Sequence, residues 1–231
     1  MITQRAYFDF NATVPLRSEA RAAMVAALDV AGNPSSVHAE GRAARALIED
    51  AREKVARLVG ARADAIVFTS GATEANNWVL RRSWRSILFS DIEHPSVRAP
   101  CLAAAARLVR LPVGSDGVVD VDAAQALIDD VAQDGAASGG LLALQAANNE
   151  TGVVQPLAPL AAAARRSGLE VFTDAVQAAG RMPLDIAALD VDYLSLSAHK
   201  IGGPKGIGML YVRAGAEGGP ELPPLMLGGG Q

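Results

Sequence analysis

The chain has 231 residues, of which 50% are hydrophobic and 4% aromatic, a composition typical of a globular protein with an aliphatic core. Its formal net charge of −4 arises from 21 basic and 25 acidic residues dispersed along the sequence. Because the sequence has no strongly basic stretch, its charge pattern does not indicate binding to nucleic acid or to an anionic membrane. Neither partner is predicted.

The N-terminal region has no apolar run of signal-peptide length, and no apolar run of about 18 residues occurs elsewhere, so we expect a cytoplasmic location. The single cysteine, Cys101, excludes an internal disulfide. It lies in an apolar, helix-like run over residues 99–106, which predicts a buried structural thiol with a raised pKa. Three histidines without paired cysteines do not indicate a structural zinc site, and no metal is predicted.

Helical and extended segments alternate along the chain. Helical apolar spacing covers residues 18–30, 41–59 and 121–131. Short aliphatic runs bounded by turn residues predict strands over 65–69, 87–90, 108–113, 141–146, 169–173, 193–197 and 208–212. This alternation predicts an α/β fold in three layers, with a mostly parallel sheet between helices on both faces.

Polar clusters follow several of the predicted strands. In sheets of this kind ligands bind beyond the carboxyl ends of the strands, so these clusters are expected to form one site. They lie at residues 70–73, 93–94, 148–150, 174–177 and 197–200.

Lys200 is the most informative residue, since it stands between hydrogen-bonding side chains and a glycine-rich turn. Lysine amines form Schiff bases with carbonyl cofactors, and pyridoxal phosphate enzymes combine such a lysine with a carboxylate facing the pyridine nitrogen. Asp174 could supply that carboxylate and Gln177 a donor to the ring oxygen. The alternative for Lys200 is a solvated lysine in a turn, although this interpretation suits Lys205 better. The alternative for Asp174 is that its side chain caps the segment that follows.

The segment Ser70–Glu74 follows a strand and begins a helical stretch, a geometry that binds phosphate through free backbone N–H groups. The alternative is an ordinary helix cap. Neither a P-loop nor a G-x-G-x-x-G after the first strand is present.

Three further residues are candidates for the same site. His94 could stack on a ring and exchange protons, or it could be an ordinary polar residue at a strand end. Ser197 and His199 could donate further bonds to a phosphate.

The ordered motifs resemble those of the cysteine desulfurases, pyridoxal phosphate enzymes of the aminotransferase class V group, along nearly the whole chain. The matching segments are residues 8–13, 32–38, 69–77, 93–94, 148–152, 174–178 and 195–208. The resemblance implies the aspartate aminotransferase fold (fold type I). Residues 15–231 would form its large, cofactor-binding domain and residues 1–14 a segment of the small domain.

The resemblance also implies a role for each site residue. Lys200 would hold pyridoxal 5'-phosphate, with Asp174 at the ring nitrogen and Gln177 at the ring oxygen. His94 would stack on the ring and assist proton transfer, and Asn149 would lie beside the cofactor. The phosphate would be bound by Ala72 through its backbone, and by Thr73, Ser197 and His199.

The implied activity is removal of sulfur from L-cysteine, which yields L-alanine and an enzyme persulfide for iron–sulfur cluster assembly or another sulfur-acceptor protein. Family members are homodimers. Their catalytic cysteine and substrate-binding arginine follow a segment that residues 227–231 match, so we expect a truncated chain that is inactive alone. The alternatives are a selenocysteine lyase, another class V aminotransferase, or a non-catalytic short form.

Overall fold

The computed structural model describes residues 6–213 and 222–228. Seven strands lie in one sheet: β1 Ile66–Thr69, β2 Ser86–Ser90, β3 Arg107–Leu111, β4 Gly140–Ala143, β5 Glu170–Asp174, β6 Tyr193–Ser197 and β7 Gly208–Val212. The helices are α1 Ser18–Leu28, α2 Ala39–Leu58, α3 Ala72–Leu80, α4 Pro95–Ala103, α5 Val121–Gln133, α6 Leu157–Arg166 and α7 Ile186–Leu189. All seven predicted strands are confirmed, with ends shifted by a few residues.

The strand order is β1-β7-β6-β5-β4-β2-β3. Strands β6, β5, β4, β2 and β3 are parallel neighbours, whereas β7 runs antiparallel to both β6 and β1. Since β7 opposes both of its neighbours, β1 points in the same direction as β6. The structure confirms the predicted α/β class with its mostly parallel sheet.

Two apolar clusters cover the two faces of the sheet. One includes residues of α2, α5, α6 and α7, and the other includes residues of α3 and α4. Within β2, Leu88 belongs to the first cluster while Ile87 and Phe89 belong to the second, as the alternation of side chains along a strand requires. Helices therefore lie on both faces, as the sequence pattern predicted.

Three helical segments differ from the sequence prediction. Helix α4 begins earlier than the predicted helix-like run, because Pro95 occupies its first turn and the His94 side chain accepts a bond from the backbone N–H of Ser96. Helices α6 and α7 were not predicted. α6 is rich in alanine, so few bulky side chains mark its buried face, and α7 has only 4 residues.

A close approach of two backbones brings β7 to the start of α3. A Cβ atom at Gly208 would lie 2.5 Å from the Cα atom of Gly71, so only glycine fits at position 208. Thr69 and Ser197 both pair with Gly208 in the sheet. The loop after β1 and the end of β6 are thereby brought together at one sheet edge.

Residues 6–14 run along this same edge, where the backbone N–H of Val14 donates to the carbonyl of His199 at 2.9 Å. A boundary between two domains at residue 14 stays a prediction. Residues 1–5 of the predicted small-domain segment and residues 229–231 of the glycine-rich end lie outside the described residues. None of the described helices combines the length and apolar character needed to cross a membrane.

Candidate active site

A cavity of about 820 Å³ opens at the carboxyl ends of the parallel strands. This volume is within the range of about 300–1,000 Å³ that is usual for small-molecule and cofactor sites. All nine site residues proposed from the sequence line it: Ala72, Thr73, His94, Asn149, Asp174, Gln177, Ser197, His199 and Lys200. The fold thus brings together five loops that are distant in the chain.

Lys200 ends a single 3-10 turn, Ala198–Lys200, that directly follows β6. Its Nζ donates to the backbone carbonyl oxygen of Asn11. Partial burial lowers the pKa of this amine, and the positive charge of Arg181 lowers it further, while Asp174 and Asp9 act in the opposite direction. A lowered pKa increases the fraction of neutral amine, which is the form that attacks a carbonyl carbon.

Asp174 is the last residue of β5 and is buried. Its Oδ1 accepts from the backbone N–H of Val176 at 3.0 Å, and its Oδ2 accepts from the Asn76 amide at 2.9 Å. Burial raises the pKa of this carboxyl, whereas these two donors and the nearby charges of His94 and Lys200 lower it. The bond to Val176 is a local turn contact, as the capping interpretation expected, and the side chain also lines the cavity.

Gln177 is held by two bonds of its side-chain amide. Its Nε2 donates to the Asn11 carbonyl oxygen at 3.0 Å, and its Oε1 accepts from Arg181 Nη1 at 2.6 Å. The Asn11 side chain in turn donates to the carbonyl of Asn149 at 3.2 Å. The N-terminal segment therefore contacts the groups on which the cofactor hypothesis depends.

The first turn of α3 borders the cavity at Ala72 and Thr73. Its N-cap residue is Gly71, and no side chain caps it within the described part of the chain, so the alternative of an ordinary helix cap is not supported. The free N–H groups of a first helical turn are a suitable donor set for a phosphate. The nearby Glu74 carboxylate accepts from the Ser70 N–H at 2.7 Å, and Ser197 Oγ lies 3.8 Å from an ideal Gly71 Cβ position.

The remaining predicted residues reach the cavity from three loops. His94 precedes α4, and its Nδ1 lies 2.7 Å from Ser96 Oγ. His199 Nδ1 lies 3.1 Å from Thr13 Oγ1, and burial lowers the pKa of this imidazole, helped by the charges of Lys200 and Lys205. Asn148, next to Asn149, organises the turn through its Oδ1, which accepts from two backbone N–H groups.

Sequence reasoning missed Asn76, which binds Asp174 from the middle of α3, and Arg181, which binds Gln177. A signal for Asn76 was present, because an asparagine in a helix interior is unfavourable unless it has specific partners. The sequence around Arg181 contains no such signal. Cys101 is buried outside the cavity among apolar residues, which confirms the predicted burial, and burial raises the pKa of its thiol to about 12.

Together, the sheet and the site define a class: an α/β protein in which the strand ends surround one lysine of lowered pKa and one buried carboxyl group. The family model for aminotransferase class-V matches residues 6–231. The chain belongs to the aminotransferase class-V family, whose enzymes depend on pyridoxal phosphate.

Individual relatives confirm the resemblance to cysteine desulfurases. The chain is 40% identical to cysteine desulfurase IscS of Dictyoglomus turgidum, in an alignment with a length of 237 that covers 97% of this chain. Its structure is similar to that of a NifS-like protein, with a TM-score of 0.89 and 36% identity over 99% of this chain and 63% of the other. It also resembles SspA in complex with cysteine, with a TM-score of 0.87 and 33% identity over 98% of this chain and 66% of the other.

The chain spans 57% of the length of the Dictyoglomus turgidum relative.

Proposed function

We propose that this chain is the cofactor-binding part of a pyridoxal phosphate-dependent cysteine desulfurase. The observation that carries the proposal is the convergence of Lys200, Asp174 and Gln177 in one cavity of suitable volume. The aldehyde of this cofactor requires a primary amine, its protonated ring nitrogen a carboxylate that accepts, and its ring oxygen a donor such as an amide. The residues present therefore fit the group.

The phosphate end of the cofactor also has matching groups. The backbone N–H groups at Ala72 and Thr73, together with the Thr73 and Ser197 hydroxyls, would hold it, and His199 would be a further donor. A helix N-terminus carries partial positive charge, which suits a phosphate dianion. Glu74 stays oriented toward the Ser70 N–H in this arrangement.

When bound, pyridoxal phosphate supplies an electrophilic carbon for amines and a conjugated ring that accepts negative charge. Lys200 would hold the cofactor through its Nζ, and the same atom would be the base that takes the substrate proton. Asp174 would hold a proton on the ring nitrogen through its carboxylate. His94 is a second proton-transfer group lining the cavity.

L-cysteine is proposed as the substrate, supported by the relatives named cysteine desulfurase and by the similar structure of SspA in complex with cysteine. The thiol that accepts sulfur is not Cys101, because that side chain is buried, lies outside the cavity and has a pKa near 12. In the complete enzyme the sulfur would pass from another cysteine to an acceptor protein. A homodimer and a cytoplasmic location belong to the same proposal.

The proposal is tested by adding pyridoxal phosphate to the 231-residue chain and recording the visible absorbance of the lysine-bound cofactor. We expect a stable band that survives gel filtration and changes when L-cysteine is added. We also expect no sulfide release by this chain with cysteine and reductant, because its one thiol is buried. A chain that takes up no cofactor, or a band indifferent to L-cysteine, contradicts the proposal.

A further inference from the structure

We propose that Asn76 and Ser96 are positioning residues that form a hydrogen-bonded chain from the Asp174 carboxyl group to the imidazole of His94. In this arrangement they hold His94 as the tautomer that carries its proton on Nε2. The role of this tautomer in proton transfer rests on the proposed function, whereas the hydrogen-bonded chain itself does not.

Three successive contacts make up the chain. Asn76 Nδ2 lies 2.9 Å from Asp174 Oδ2 and 2.9 Å from Ser96 Oγ. Ser96 Oγ lies 2.7 Å from His94 Nδ1, and the backbone N–H of Ser96 donates to the same Nδ1 at 3.1 Å. Asp174 of β5 and His94 at the start of α4 are thus connected through two side chains, Asn76 of α3 and Ser96 of α4.

The direction of each hydrogen bond follows from the donors available. A primary amide has two N–H hydrogens, and the two acceptors of Asn76 Nδ2 use both. Ser96 Oγ accepts from Asn76, so its own hydrogen is free for His94 Nδ1. The Ser96 backbone N–H can only donate, and it also points at Nδ1. An imidazole nitrogen that receives two donors carries no proton, so the proton of the neutral ring is on Nε2.

The reverse orientation of the Asn76 amide is disfavoured. It would turn Oδ1 toward the Asp174 oxygen and the Ser96 hydroxyl oxygen, and both donations by Nδ2 would be lost. The observed orientation is retained although Asn76 Oδ1 is buried without a hydrogen-bond partner among residues 6–213 and 222–228. Asn76 is fully buried in a helix interior, where a residue of this type requires specific partners.

A simple helix cap does not account for these contacts. Capping α4 requires only that the His94 side chain accept from the Ser96 N–H. The Ser96 hydroxyl and the Asn76 amide add contacts that do not involve the backbone of α4 and that end at Asp174. Because Nδ1 accepts from both the hydroxyl and the backbone N–H of Ser96, Nε2 is the ring nitrogen of His94 that is available to exchange a proton with substrate.

The test is nitrogen NMR on the full chain with ¹⁵N-labelled histidine, without cofactor and at alkaline pH, where an imidazole is neutral. The chain has three histidines, so the His94 signals are assigned by their loss in His94→Gln. We expect a protonated Nε2 and an unprotonated Nδ1 in the native chain. A His94 ring protonated on Nδ1 overturns the proposal.

Two variants of Ser96 separate positioning from general structure. In Ser96→Ala we expect the Nδ1 resonance of His94 to shift toward that of an imidazole nitrogen with weaker hydrogen bonding, while the signals of His199 stay in place. Ser96→Thr keeps a hydroxyl and should restore the native shift. An unchanged His94 spectrum in Ser96→Ala overturns the proposal even if the native tautomer is as expected.

Cofactor uptake is measured separately on the same native sample by the visible absorbance after addition of pyridoxal phosphate. A chain with the Nε2–H tautomer that takes up no cofactor supports the hydrogen-bonded chain and contradicts the proposed function. A chain that takes up cofactor with His94 protonated on Nδ1 overturns only the present inference.

Discussion

The side chains of Lys200 and Gln177 donate to the same acceptor, the backbone carbonyl oxygen of Asn11. One carbonyl of the N-terminal segment is therefore shared by the two groups that we propose to bind the aldehyde and the ring oxygen of the cofactor. In the proposed function, Lys200 would exchange this carbonyl for pyridoxal phosphate. The contact also explains how a segment with little buried surface is held over the sheet edge.

Replacing Lys200 with alanine removes the only atom proposed to bond covalently to the cofactor. After incubation with pyridoxal phosphate and reduction with borohydride, mass spectrometry should find the label on the native chain and none on Lys200→Ala. Lys205→Ala is the matched control, since Lys205 lines the same cavity and is expected to leave the labelling unchanged. Label that persists in Lys200→Ala would refute the assignment of this lysine.

Asp174→Asn keeps the size of the side chain and removes its negative charge. A hydrogen bond to a charged group contributes about 1.5–3 kcal/mol, so the affinity for pyridoxal phosphate should fall by about tenfold or more. Fluorescence titration of the two chains measures this difference. Asp9→Asn, a change of charge at an exposed residue of the same cavity, should have a much smaller effect. Equal losses in the two variants would show that only the overall charge matters.

Glu93 is a buried carboxyl whose Oε1 accepts from Ser90 Oγ at 2.9 Å and from the Gln145 N–H at 3.0 Å. Burial raises its pKa from 4.5 to about 8, and the charge of Asp174 raises it as well. The folded state therefore keeps the proton that the unfolded state releases between these pH values. For this group alone the free energy of unfolding falls as pH rises, by at most about 1.4 kcal/mol per pH unit.

Glu93→Gln lacks this titration. Relative to the native chain, the variant should gain stability progressively from pH 4.5 to about 8, and urea unfolding at several pH values measures the difference. Below pH 4.5 both folded and unfolded states of the native chain are protonated at this position, so the difference should become constant. Parallel stability curves across the whole range would mean that Glu93 titrates normally.

Gly208→Ala should destabilise the fold by about 1–3 kcal/mol, because the new Cβ atom would lie 2.5 Å from the Cα of Gly71 and the two backbones would have to separate. Gly71→Ala is the matched control. Its Cβ would meet only Ser197 Oγ, at 3.8 Å, so this substitution should change the free energy of unfolding much less. If denaturant unfolding gave the same loss for both, the close approach would not be the cause.

Asp192 is buried and pairs with Arg165 at 3.0 Å and with Arg213 at 2.9 Å. Removing the carboxylate leaves two arginines without this partner, and loss of one partner of a buried ion pair costs about 3–5 kcal/mol. We expect Asp192→Ala to approach the lower end of this range, since both arginines are about one-third exposed. Asp134→Ala breaks an exposed pair with Arg107 and should cost less than about 1 kcal/mol. Thermal and urea unfolding compare the two, and a similar loss in both would contradict the prediction.

Much of the fold could be predicted from local pattern. Each strand is a short apolar run between turn residues, and such a run is visible without knowledge of its neighbours. Helix α6 was missed because its buried residues are mainly alanines, which also occur on exposed helix faces. The position of β7 between β6 and β1 could not be read from the sequence, because a strand's apolar pattern shows that it is buried and not which strands it pairs with.

The sequence by itself determined the candidate site residues, because polar residues that follow parallel strands reach the same edge of the sheet whatever the strand order. Only the tertiary structure decided how these groups are paired. The bond between Asn76 and Asp174 joins residues 98 positions apart, and that between Lys200 and Asn11 joins residues 189 apart. Such contacts depend on the packing of α3 and of the N-terminal segment against the sheet, and packing across these distances leaves no periodic trace in the chain.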